Sequence, residues 1–311
     1  YIGVTNIIAL DNCSLTENIA FSSGGGIYSE LDNQISILNG GIHNNSAGYH
    51  GGGIYSNSRG SIIMTRASFF SNQAELMGGA ICLLDDTDLI FFNETVFEFN
   101  TASTGGGIAL KSSDLWDLQG DAVMTLRSNK AARGSAVAIA QLRDTTNRTL
   151  HNIRFESNTA SVGGTFYFLK SSTSGQEPRG IDASTIQWID NLAPYGDKTV
   201  TQPVALMVHE NITVMNYNLD VEPTVNSTLT DYYGSIVYGD NFTSTSISVE
   251  DYWCGPRRGI LTDGTSSHQT VLGTSTFPFL RASCYPQGHL LVRYAADVVD
   301  SLHFNIPKDQ Y

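Results

Sequence analysis

The sequence predicts an all-β chain in two parts: a parallel β-helix of about seven rungs over residues 1–202, then an antiparallel β-sandwich over 203–311. Three observations predict it. An Asn recurs at 18, 45, 72, 100, 129, 158 and 191, spaced by 27, 27, 28, 29, 29 and 33 residues. Apolar residues around it alternate, as in Ile35-Ser-Ile37, Phe97-Glu-Phe99 and Phe166-Tyr-Phe168, which is the period of a strand and not of a helix. Past Gln202 the repeat vanishes, and short β-branched runs follow between Gly, Asp and Asn turns.

A fixed period of this length marks a repeat architecture, and a strand-rich unit too short for a domain buries its apolar face only by stacking on its own copies. Each position of the unit then has a job. Three residues before each Asn stands an apolar residue: Leu15, Ile42, Phe69, Phe97, Leu126, Phe155 and Trp188. These, with Ile27, Ile54, Ile81, Ile108, Val137 and Phe166 after the glycines, are expected to point inward and stack along the axis. Burying each contributes roughly 1.5–3 kcal/mol. The Gly runs (24–26, 51–53, 78–79, 105–107, 163–164) supply positive φ at a corner, and the Ala two residues after each Asn (20, 47, 74, 102, 131, 160, 193) is small enough to sit inside it. Asn18, Asn45, Asn72, Asn100, Asn129, Asn158 and Asn191 suit a sharp bend, because Asn tolerates the left-handed region. Stacked in register, their amides can bond one another in a ladder. Lying in a turn and recurring in every rung, the column reads as a corner ladder and not as an ion site.

The elements Phe69-Phe-Ser-Asn72, Phe97-Glu-Phe-Asn100, Phe155-Glu-Ser-Asn158 and Gly78-Gly-Ala-Ile81 resemble the polymorphic outer membrane protein repeat. The resemblance covers about the first two thirds of the chain. It implies a right-handed parallel β-helix of the pectin-lyase type, with a role at a cell surface in adhesion or as a structural spine.

In order, residues 1–17 complete a partial rung, and the rungs at 18–44, 45–71 and 72–99 are the most regular. The acidic bend Asp85-Asp-Thr-Asp88, like Asp114, Asp117 and Asp121, offers carboxylates but lacks the glycine-aspartate pattern of calcium-binding solenoids, so it reads as solvated. Later rungs lengthen, with Gly134-Ser-Ala-Val137 in place of a Gly run and a surface loop at Ser171–Pro178. From Asn191 the pattern decays into Pro194 and a single Gly196, as a capping repeat should. Tyr28, Tyr55 and Tyr167 follow inward residues and are expected to face outward, packing on a partner more readily than gripping a sugar, since Cys82, Ala109 and Ala138 share their column.

In the second part, strands are expected over Val204–Val208, Ile212–Met215, Thr224–Leu229, Ser235–Tyr238, Thr245–Val249, Thr276–Leu280 and Leu290–Tyr294, with a strand-like tail at Ser301–Ile306. The stretches Leu229-Thr-Asp-Tyr-Tyr-Gly234 and Tyr285–Tyr294 resemble immunoglobulin-like modules. Cys254 and Cys284 both lie here and are expected to form a disulfide. Cys13 and Cys82 lie about three rungs apart, roughly 14 Å at the usual strand spacing, too far to pair.

With 30 acids against 17 bases the net charge is −13, which argues against binding a nucleic-acid backbone. No apolar run approaches a membrane span. The chain opens at Tyr1 without an initiator Met, inside a strand-like segment, as a processed or partial sequence would. Seven Asn-x-Ser/Thr sequons, at Asn12, Asn44, Asn93, Asn147, Asn211, Asn226 and Asn241, mark expected N-linked glycans and an extracellular compartment. The β-helix also hosts polysaccharide lyases and hydrolases, but these cluster carboxylates with Arg or Lys on one face. Here the acids scatter and the seven His share no spacing, so no catalytic, metal or cofactor residues are assigned. The expectation is a non-catalytic subunit of a cell-surface fibre, resembling a flagellar hair, whose partner is itself in a head-to-tail homopolymer. The alternatives are a carbohydrate-binding adhesin and a polysaccharide lyase or hydrolase.

Overall fold

A computed structural model describes residues 1, 6–57, 60–84, 87–113, 117–142, 150–169, 184–196, 198–209, 225–253, 260–262, 267–277, 281–283 and 289–299. The chain divides into two compact units, Tyr1–Gln202 and Pro203–Tyr311. Among the described residues every regular element is a β-strand.

The first unit is a parallel β-solenoid. One face, the long face, stacks Ile7–Asp11, Asn33–Leu38, Gly60–Thr65, Thr87–Phe92 and Asp117–Gln119. The amide face begins with Ser14–Thr16, Gly41–His43, Ser68–Phe70 and Thr95–Glu98 and continues through Met124–Arg127, Ile153–Glu156 and Ile186–Ile189. The glycine face runs from Ile27–Glu30 to Thr199–Thr201 and also holds seven strands. About seven rungs were expected, but turns carrying all three faces number about five, because the long face has five strands among the described residues. The positions that would extend it fall in 143–149 and 170–183, outside those residues.

Pairing keeps the repeat in register. Leu15, Ile42, Phe69, Phe97, Leu126, Phe155 and Trp188 are successive partners on the amide face. Ile27, Ile54, Ile81, Ile108, Val137 and Phe166 are successive partners on the glycine face. Because side chains alternate along a strand, this register sends both columns inward together. Ile42, Phe69, Phe97, Leu126 and Phe155 are each at most 1% exposed. Phe69 lies flat on Phe97 at 4.7 Å, and Phe155 on Trp188 at 4.5 Å. Leu10, Leu15 and Trp188, in the outermost turns, are only partly covered.

The corner between the short connecting strands and the glycine face needs Gly for two reasons. Its first residue is left-handed at Gly24, Gly51, Gly78, Gly105, Gly134 and Gly196, with φ between 58° and 70°, and in the remaining turn the second residue, Gly164, takes that conformation at 66°. Its second residue lies against the next turn, so that a Cβ on Gly52 or Gly79 would come within 2.3 or 2.2 Å of a backbone oxygen. The third position is not so bound, and Ala80 and Ala136 occupy it fully buried.

The second unit is antiparallel. One sheet joins Ala205–Val208, Val225–Thr230 and Thr274–Phe277; another joins Ser267–Gln269, Ser244–Trp253 and His289–Ala296; Ile260–Thr262 pairs with Arg281–Ser283. Val225 and Phe277 of the first sheet pack with Ile247 and Tyr294 of the second. A buried hydroxyl chain also joins the two sheets, from Thr245 Oγ1 to Ser275 Oγ (2.7 Å) and between Ser275 and Ser227 (2.8 Å). Ser235–Tyr238, expected as a strand, is a turn with one bridge at Ile236, because Asp231 accepts the backbone N–H groups of Tyr233 and Ser235. The expected strand at 212–215 and the tail at 301–306 lie outside the described residues.

Phe97 is fully buried between Phe69 and the edge of Phe91, 6.1 Å away. Phe97→Ala is expected to lower the stability of the solenoid by about 3–5 kcal/mol, read from urea denaturation.

Candidate functional site

The feature that runs through every turn is the asparagine column. Asn45, Asn72, Asn100, Asn129 and Asn158 are 0–1% exposed. Asn72 shows the pattern. Its backbone N–H and its Nδ2 both donate to Asn100 Oδ1, at 2.9 and 3.0 Å. Its second amide proton goes to the carbonyl of Ile42, at 2.7 Å. Its own Oδ1 receives the N–H and Nδ2 of Asn45, at 3.1 and 3.0 Å. Every hydrogen-bonding group of the side chain is matched, as burial requires. The same cross-turn bonds link Asn18 to Asn45, Asn100 to Asn129, Asn129 to Asn158, and Asn158 to Asn191, all at 2.8–3.0 Å.

The bend itself was expected to use the Asn. Instead the left-handed residue is the one before it: Glu17, Asn44, Ser71, Phe99, Ser128, Ser157 and Asp190, with φ between 48° and 58°. The Asn does not take the strained conformation; its amide bonds the turns. Because the corner residue's side chain points to solvent, its identity varies freely, and so the left-handed column was not visible as a repeat.

The ladder has a direction, and its two ends differ. At the first turn, no group among the described residues donates to Asn18 Oδ1, and Asn18 Nδ2 falls back on the Thr16 carbonyl of its own turn at 3.1 Å. At the last turn, Asn191 Nδ2 reaches the Phe155 carbonyl at 3.0 Å, while no acceptor among the described residues faces the Asn191 backbone N–H. Around the first turn Ile7 and Ile19 are each 81% exposed and Phe21 is 99% exposed.

Outward residues of the glycine face differ from expectation. Tyr55 and Tyr167 are buried and Tyr28 is half-buried. Tyr28 and Tyr55 stack at 5.2 Å, and His50 lies on Tyr55 at 6.0 Å. The glycine corners fold over this column: a Cβ on Gly78 would stand 2.8 Å from that of Cys82, and one on Gly105 would stand 3.0 Å from that of Ala109. That close approach requires glycine at 78 and 105. Cys82 is a fully buried thiol whose burial pushes its pKa up to about 12. Cys13 is exposed and free.

On the amide face His43 Nε2 lies 2.8 Å from Ser68 Oγ, over Gly41, and Arg127 pairs with Glu98 at 2.7 Å. Among the described residues no three His, Cys, Asp or Glu side chains converge, and no helix is long and apolar enough to cross a membrane. Of the sequons, Asn12, Asn44 and Asn93 are exposed and left-handed, at φ 49°, 55° and 59°. Asn241 is exposed and accepts the Leu272 N–H at 2.8 Å. Asn226 Oδ1 accepts from Thr276 Oγ1 at 2.9 Å. Asn147, Asn211, Cys254 and Cys284 lie outside the described residues.

Comparison with known proteins adds no name. No family model matches the chain, no curated protein matches it, and no solved structure matches it.

Replacing Asn100 with Ala strands three buried partners, both Asn72 donors and the Phe69 carbonyl, while Asn129 Oδ1 keeps the backbone N–H of residue 100. At about 1–3 kcal/mol for each unmatched buried group, the loss should reach at least about 3 kcal/mol, measured by urea denaturation. Stability should also fall with acid. Burial holds the pKa of His43 down, and burial with nearby Lys111 holds that of His50 down. The unfolded chain then binds more protons, so stability is full above the ordinary imidazole value of about 6.5 and is lost as pH falls below it. The double variant His43→Gln, His50→Gln should flatten that slope between pH 7 and pH 5, followed by thermal melts.

Proposed function

We propose that the chain is a non-catalytic structural subunit of an extracellular fibre, in which copies join end to end through the solenoid. One observation carries the reading. Every turn from Asn18 to Asn191 is held to the next by the same one-directional bonds, so the contacts of the stack all run along one axis. The strands of such a stack direct backbone N–H and C=O groups along that axis, and a strand edge of this kind favours pairing. A contact between two different ends repeats without closing and builds a filament.

Other features support the setting. The repeat resembles that of polymorphic outer membrane proteins, which implies a right-handed coil and a cell-surface role. The two facing antiparallel sheets of 203–311 suit an immunoglobulin-like sandwich with a Cys254–Cys284 disulfide. Asn12, Asn44 and Asn93, held out at corners, are proposed glycan sites together with Asn147, Asn211, Asn226 and Asn241. A net charge of −13 keeps a strand-rich surface from associating side by side.

Sedimentation velocity of the full chain over a concentration series tests the proposal. Species growing continuously with concentration, seen as rods by negative-stain microscopy, are expected. A monomer at every concentration overturns it.

A further inference from the structure

We infer that Asn93 receives its glycan before the solenoid closes around it, and that the Thr95 hydroxyl is kept for that modification and not for the fold. This order of events rests on the glycosylated, extracellular reading above and deepens it at one site. Thr95 opens the strand Thr95–Glu98 and lies on the same side of it as the inward Phe97. It is 0% exposed, and the residues that follow it along the axis, Met124, Ile153 and Ile186, are buried and apolar. Its Oγ1 is buried and has no hydrogen-bond partner among the described residues. Such a group costs stability that a Val side chain of nearly the same shape would not. The hydroxyls of three other sequons differ. Thr228 Oγ1 lies 2.6 Å from His209 Nε2, and Thr243 Oγ1 donates to Asp240 at 2.8 Å, so the fold itself uses them. Ser46, in the Asn44 sequon, is only half-buried.

A transferase reads Asn-x-Ser/Thr through the hydroxyl two residues after the asparagine, and in Asn93-Glu94-Thr95 the folded chain withholds it. The Thr95 N–H donates to the Val123 carbonyl and the Val96 N–H to the Ala67 carbonyl, both at 3.1 Å, so the stretch is pinned to a turn on each side. Drawing it out to a transferase breaks both bonds. The strand that covers Thr95, Met124–Arg127, comes one turn later in the chain. The acceptor is therefore open once Thr95 is made and shut when Met124 docks on it. The product, by contrast, fits the fold, because Asn93 is exposed and left-handed at φ 59°. In the transfer, Asn93 Nδ2 bonds to the anomeric carbon of an oligosaccharide carried on a lipid pyrophosphate. The bond from that carbon to the pyrophosphate oxygen breaks, the lipid pyrophosphate leaves with the electron pair, and one Nδ2 proton passes to a base of the transferase.

The test uses the full chain and reads the occupancy of each sequon by peptide mass spectrometry. Secreted from a host that glycosylates Asn-x-Ser/Thr, the wild type and Thr95→Ser should carry a glycan at Asn93, and Thr95→Val and Asn93→Gln should not. Made without glycans, Thr95→Val should raise the folded-to-unfolded ratio by about fivefold or more over the wild type in urea melts, and Asn93→Gln should give no such gain. Folded, unglycosylated wild type mixed with purified transferase and lipid-linked oligosaccharide should stay empty at Asn93, whereas the same chain diluted from urea into that mixture should be filled there. Transfer to Asn93 on the folded chain overturns the order of events, and so does an Asn93 left empty by both routes. A Thr95→Val variant no more stable than the wild type overturns the role of the hydroxyl. An empty Asn93 in secreted wild type whose other sequons are filled overturns the inference and leaves the glycosylated reading standing. A secreted chain with no glycan at any sequon overturns both.

Discussion

A buried primary amide has two protons and two lone pairs to satisfy, and in this solenoid the next turn satisfies them. That requirement fixes much else. The amides meet only if every turn ends its second strand at the same place, so turns that lengthen from 27 to 33 residues must carry the excess elsewhere. They do so in the connections and in the bulges after Leu110 and Ala131, while the pairing Leu126–Phe155–Trp188 stays in step. The inward columns follow from that register, and with them the core.

The glycine corner imposes a second constraint, of space and not of bonding. Backbone passes so close to backbone that Gly52 and Gly79 have no room for a side chain, and the corner lies over the outer column of Tyr28, Tyr55, Cys82, Ala109, Ala138 and Tyr167. Under that corner Tyr55 and Tyr167 are buried and Tyr28 half-buried. Where the column admits large rings, neighbours cover them, as His50 does Tyr55.

Much of this was legible in the sequence. The spacing of Asn18 through Asn191, with Leu15 through Trp188 three residues ahead, specified strand direction, register and the inward residues, because each reports a contact repeated with the same partner. What escaped has a physical reason as well. The left-handed corner residue faces water, so Glu17, Ser71 and Phe99 serve equally and leave no repeat to read. The turn count exceeded five because Asn158 and Asn191 mark turns whose long-face positions, 143–149 and 170–183, lie outside the described residues. The covering of Tyr55 depends on a loop folding back over its strand, which strand alternation does not encode. In the second unit no repeat exists; Ser235–Tyr238 alternates like a strand, yet Asp231 draws the N–H groups of Tyr233 and Ser235 into a turn at its start.

Each turn offers the same donors on one side and the same acceptors on the other, so a length of chain from one Asn to the next is a self-contained cassette. Copying or deleting one cassette would change the height of the rod by about 4.8 Å and would create no mismatched surface. Such a protein can change its reach over generations by recombination within its own gene, without inventing a single new contact.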